Sequence, residues 1–157
     1  MDKLANLGSS ELGARLVDHS SQVHGCEASH VLTGPLQQLW LSEEGLPQWL
    51  CISLSAQAGR RSDGAEEGDL CVRTVGWHCW HPYSSNPKEV TLHVSADGSK
   101  FKVWDTFSCA EPAAGRHLFC CVPINVSIYS FIAIGAHPSS HHALSYNNII
   151  YYYCPAQ

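Results

Sequence analysis

The sequence predicts an all-β domain built as an antiparallel β-sandwich, and three observations carry that reading. From Trp49 onward, short runs rich in β-branched and aromatic residues alternate with turn residues, the pattern of a sandwich or barrel. Val90, Leu92 and Val94 alternate with Thr91 and His93, so a period of two places the three aliphatic residues on one face. Asp97-Gly98 then supplies tight-turn chemistry between that run and Lys100–Trp104, which makes a hairpin. A chain of 157 residues with 45% hydrophobic and 15% charged residues suits one domain with its own core.

Taken in order, the elements begin with Ser10–Leu16, a weakly helical stretch that Ser10 caps and Gly13 weakens. The first strand-like runs are Trp49–Leu54 and Leu70–Val75. Between them Ala56–Asp69 has no hydrophobic period and reads as a solvated insertion. Glu89–Ser95 carries the alternating row, and in Lys100–Trp104 the alternation puts Phe101 and Val103 on an apolar face, with Lys100, Lys102 and Trp104 opposite. His117–Val122 and Ile128–Ile134 are two more strands, the second continuous enough to be central and buried on both faces. Ile149–Tyr153 has strong β propensity and suits a closing strand.

Composition excludes several classes. The net charge is −5 and no basic run exceeds Arg60-Arg61, so nucleic acid is not an expected partner. No apolar stretch approaches the roughly 20 residues of a membrane helix, and Met1-Asp2-Lys3 leads into no signal-peptide core, so the expectation is an intracellular, cytoplasmic protein without membrane insertion. In that compartment the eight cysteines are free thiols, and Cys51 and Cys71 act as small buried hydrophobes. The sequon Asn125-Val126-Ser127 then goes unglycosylated.

Several segments together resemble the discoidin, or coagulation-factor type C, superfamily. They are the Ser-rich start Asp18-His19-Ser20-Ser21, then Ala28–Leu32, Trp40-Leu41-Ser42, Pro47-Gln48-Trp49 opening a strand, Pro87–Gly98 ending in Ser-x-Asp-Gly, and Ile128–Ile134. The resemblance spans Leu16 to Ile134 and implies a galactose-binding-domain-like jelly-roll sandwich of about eight strands. On that alignment residues 1–15 are an extension, 16–154 the sandwich and 155–157 a tail. Trp40 and Trp49 are expected as core anchors. Leu32-Thr33-Gly34 lacks the acidic residue common in the family after its first leucine, which weakens a calcium site, and Cys26 and Cys154 are not placed as the end-tying disulfide of extracellular members. Intracellular members of the superfamily are docking modules, so the resemblance implies partner binding through loops at one end.

The densest candidate site is Gly76–Pro87, a loop of aromatic and polar residues between two strands. Trp77, Trp80, His81, Tyr83 and Asn86 are the candidate partner-binding residues, because aromatic side chains combine rigid area with a hydrogen-bonding tip. The plainer reading is that Trp77 and Trp80 cap the core. His78, Cys79, His81, His141 and His142 are metal-ligand types without finger spacing, so no metal or cofactor is expected. His117 and Cys121 share a strand face about 13 Å apart, too far for a nucleophile and its base, and no catalytic motif stands elsewhere, so no enzyme activity is expected. The first expectation is therefore a protein-interaction module, a subunit of a larger complex, using loops around Leu36–Gln48 and Trp77–Asn86. The second is a module for carbohydrate or another small ligand such as a lipid head group.

Overall fold

A computed structural model describes residues 7–33, 39–45, 47–54, 71–79, 87–108, 115–125, 131–138 and 145–153. In chain order these form a 3-10 helix at Ser10–Leu12, β1 (Arg15–His19), a one-turn helix α1 (His30–Thr33), β2 (Trp40–Leu41), β3 (Gln48–Ser53), β4 (Cys71–Cys79), β5 (Pro87–Ser95), β6 (Lys102–Ser108), β7 (Gly115–Asn125), β8 (Phe131–Pro138) and β9 (Ser145–Tyr153). Ser9, not Ser10, caps the short helix, accepting the Glu11 amide at 3.2 Å. Among the described residues no helix is long and apolar enough to cross a membrane.

The strands make two antiparallel sheets. One has five strands in the order β1-β3-β8-β5-β6, and the other has four in the order β2-β9-β4-β7. β8 is central, as its apolar run predicts, paired on one side with β3 and on the other with β5. Ile52, Ile132 and Val94 stand in one cross-strand row, all at most 1% exposed, and with Leu50, Val90 and Leu92 they form the inner face of the five-stranded sheet. Val72 and Val75 belong to the same core from β4, and Trp40, Ala28, Val31 and Leu32 belong to it from the segment around α1. Each fully buried Val, Leu or Ile stabilises the fold by about 1.5–3 kcal/mol relative to exposure.

Of the side-chain placements expected from sequence, Trp40 is met, while Trp49 and the two faces of β6 differ. Trp40 is buried as expected, at 1% exposure, with its indole N–H donating to the Ser21 carbonyl at 2.9 Å. Trp49 is not a core anchor: Leu50 and Ile52 take the inner face of β3, and strand parity turns Trp49 to the outer face, where it is half-buried. In β6 the predicted faces are exchanged. Leu92 pairs with Asp105 but His93 pairs with Val103, so Trp104 is an inserted bulge residue. Trp104 and Phe107 pack on the core, while Phe101 is 37% and Val103 62% exposed.

The same parity leaves β8 covered on one face only. Its inner Ile132 is sealed, but Ala133 and Gly135 on the outer face are half-exposed, so the strand is not buried on both sides. The Asp97-Gly98 turn forms as predicted, with Gly98 at φ 76°, a conformation other residues rarely adopt. A Cβ there would also lie 3.2 Å from the Phe131 ring. The last described strand, β9, lies between β2 and β4.

Candidate functional site

The outer face of the five-stranded sheet carries an open trough of about 450 Å³. Its floor is β8, where Gly135 and Ala133 contribute almost no side chain. Two cross-strand rows make its walls: Trp49 and Thr91 flank Gly135, and Cys51 and His93 flank Ala133. Pro47 and Phe101 complete the lining. The walls stand roughly 10 Å apart, two strand spacings, so small residues on the central strand are what create the depression. A Cβ built at Gly135 would come no closer than 3.8 Å to the Thr91 carbonyl, so the glycine leaves open space rather than relieving a clash.

A buried polar hub holds Trp49 in place. Gln48, 5% exposed, points inward beside it. Its side-chain oxygen accepts the hydroxyls of Ser20 at 2.5 Å and Ser21 at 2.7 Å, and its amide nitrogen donates to the carbonyls of Glu43 at 3.1 Å and Gly45 at 2.9 Å. A primary amide has two acceptor sites and two N–H bonds, so Gln48 is fully satisfied, the condition under which a buried polar group rigidifies its surroundings. Ser20 also bonds the Trp49 backbone on both sides, its hydroxyl accepting the Trp49 amide and its own amide donating to the Trp49 carbonyl, each at 3.0 Å. The Ser-rich start and the Pro-Gln-Trp segment are thus two halves of one device.

The trough wall is uncharged at Cys51. Burial first, and the Asp18 carboxylate second, push its thiol pKa up, so the sulfur stays protonated and acts as an apolar surface. Beyond Phe101 the charge changes. A second depression of about 410 Å³ is bounded by Asp97, Lys100, Phe101 and Lys102. Asp97 Oδ1 accepts the Ser99 amide at 2.8 Å, the Lys100 amide at 2.9 Å and the Ser95 hydroxyl at 3.0 Å, and these bonds hold the carboxyl far below the usual range.

Of the candidate residues from sequence, Trp77 lies in β4 opposite His117, so the strand runs through Gly76–Cys79 where a loop was expected. Trp80, His81, Tyr83 and Asn86 lie outside the described residues, as do positions 34–38 and 46 of the other candidate loop. Trp49, Thr91, His93 and Phe101, which line the trough, were absent from the candidate set. Two signals pointed to them: the alternation Trp49, Cys51 against Leu50, Ile52, and the small residues in Ile132-Ala133-Ile134-Gly135.

No protein-family model matches the chain, and no curated protein does. Solved structures do match over nearly the whole length. The module CpGH89CBM32-5 of Clostridium perfringens, solved with GalNAc-β-1,3-galactose, has a TM-score of 0.72 at 15% identity, covering 94% of this chain and 99% of its own. The chain has the discoidin-like, galactose-binding-domain fold. A second discoidin-like neighbour, the family 32 module of C. perfringens NanJ in complex with galactose, has a TM-score of 0.71 at 15% identity, covering 97% of this chain and 100% of its own. Chitosan-binding module 1 of a Paenibacillus chitosanase/glucanase has 0.66 at 18% identity, with 94% and 98% covered. These neighbours are carbohydrate-binding modules. They overturn the expectation of a protein-interaction module, which rested on the intracellular branch of the superfamily, and the sugar-binding alternative fits them better.

Proposed function

We propose that this discoidin-like domain is a carbohydrate-binding module whose sugar lies in the trough on the outer face of the five-stranded sheet. The observation that carries the reading is Trp49, half-buried and fixed by Ser20, standing over the side-chain-free floor at Gly135. A pyranose presents an apolar C–H face and an equatorial rim of hydroxyls. The indole takes the first, and Thr91 and His93 on the opposite wall supply hydrogen-bonding groups for the second. The sugar-binding neighbours, which share this fold, support the reading.

Binding without turnover is part of the proposal, since the trough holds no nucleophile paired with a base. The test is a glycan array followed by calorimetry on wild type, Trp49→Ala and a variant lacking the aromatic side chains of Trp80, His81 and Tyr83. Loss of sugar binding in Trp49→Ala supports the trough. Binding that survives Trp49→Ala and fails in the triple variant assigns the sugar to the loop end instead.

A further inference from the structure

The trough has a second aromatic wall besides Trp49. Phe101 lines it and is 37% exposed, outside the buried core. Val103 stands opposite His93 on the outer face, and Phe101, two residues earlier in the chain, shares that side. The turn just before Phe101 is held as firmly as the backbone of Trp49. The buried Ser95 hydroxyl accepts the Gly98 amide at 2.9 Å and donates to Asp97 Oδ1 at 3.0 Å, and that same oxygen accepts the Lys100 amide at 2.9 Å.

The two aromatic residues stand at opposite corners. Trp49 pairs with Gly135 on β8, whereas Phe101 lies one residue beyond Lys102, whose partner Val94 pairs with Ile132. Four residues along the strands and three strand spacings across them separate the two backbones by on the order of 20 Å. The line between them passes over Ala133 and His93, which belong to the same lining. A single pyranose ring on Trp49 covers Gly135 and stops short of Phe101. Among the described residues, no Asp, Glu, Lys or Arg lines the trough, so the ligand it suits is neutral.

Resting on the proposed sugar-binding role of the trough, we infer that its ligand is a run of linked neutral sugar units rather than a lone sugar. One unit stacks on Trp49, the chain crosses Ala133 beside His93, and a later unit stacks on Phe101. Phe101 is thus the residue that sets preference for chain length.

The test is calorimetry on the whole domain with two neutral ladders, galactose to β-1,4-galactotetraose and N-acetylglucosamine to N-acetylchitotetraose. In at least one ladder the tetrasaccharide should bind roughly five- to tenfold more tightly than the monosaccharide, the scale of one added aromatic contact. Trp49→Ala weakens every length. Phe101→Leu keeps apolar bulk without a flat face and loses most of the length preference, while Phe101→Trp retains it. Thermal unfolding close to wild type confirms that each variant folds. Equal affinity at every length, or a length preference that survives Phe101→Leu, overturns the inference while leaving sugar binding intact. So does a p-nitrophenyl monosaccharide that matches the tetrasaccharide, since Phe101 would then serve an aglycone. Failure of both ladders overturns the inference as well, and failure of every glycan on an array overturns sugar binding itself.

Discussion

Ser20 holds the backbone of Trp49 from both directions, accepting its amide and donating to its carbonyl at 3.0 Å each, while the Ser20 hydroxyl also donates to Gln48. The exposed aromatic surface and the buried polar hub are therefore one mechanical unit. In Ser20→Ala both hydroxyl bonds are lost and the Gln48 oxygen keeps only Ser21. Urea unfolding is expected to show a loss of about 1–3 kcal/mol, and sugar affinity should fall with it because the Trp49 platform loosens. Unchanged affinity in a destabilised variant would separate the two roles.

Gln48 gives a sharper chemical test, because Gln48→Glu keeps the shape and changes only the donor. The new oxygen faces the carbonyls of Glu43 and Gly45, where the native N–H groups donate. Glutamate there should cost at least as much stability as leucine, about 2–4 kcal/mol, since it buries a charge against two acceptors. Denaturant midpoints of the two variants decide this.

Filling the trough should abolish binding without harming the fold. Gly135→Leu places a side chain between Trp49 and Thr91, at a position where a Cβ meets nothing closer than 3.8 Å. Thermal unfolding is expected to stay close to wild type while sugar binding is lost. Retained binding would place the ligand elsewhere.

The Asp97 turn makes an acid-sensitive contribution with a definite sign. Its carboxyl is held below the ordinary aspartate value of 3.8 in the folded chain. The stability it confers is therefore present above that value and is lost as pH falls through the lowered folded pKa. Asp97→Ala should lower the melting temperature by a few degrees near neutral pH, and the difference from wild type should shrink in strong acid.

Cys51 behaves in the opposite sense. Its folded pKa lies above the ordinary 9.0, so the associated stability is present below that value and fades as pH rises through the raised one. At 6% exposure, and with its thiol kept protonated, it should react with iodoacetamide much more slowly than half-exposed Cys26. Peptide mapping after brief alkylation reads both sites at once, and a saturating glycan should slow Cys51 further.

Much of the fold was legible because a period of two is a local property. The inward row Val90, Leu92, Val94 and the Asp97-Gly98 turn follow directly from their own segments. Trp49 was misplaced because its size suggested an anchor, although the alternation of Leu50 and Ile52 already assigned it the outer face. The exchange of faces in β6 was not legible, since the bulge at Trp104 depends on pairing with Leu92 and His93 in another strand. β1 was missed for a similar reason: Arg15–His19 is a short, polar edge strand with its own bulge beside Val17, so it has no hydrophobic period of its own. Local signals marked single trough residues, but the trough itself was not legible, because its lining joins Pro47 and Phe101 to residues of β3, β5 and β8, which meet only in the folded sheet.

The most direct measurement is a backbone and indole amide NMR titration with an oligosaccharide that the glycan array selects. Sugar in the trough moves the Trp49 indole resonance together with the amides of Ala133, Gly135 and His93, and leaves buried Trp40 still. Shifts confined to residues 80–86, with those four resonances unmoved, would contradict it.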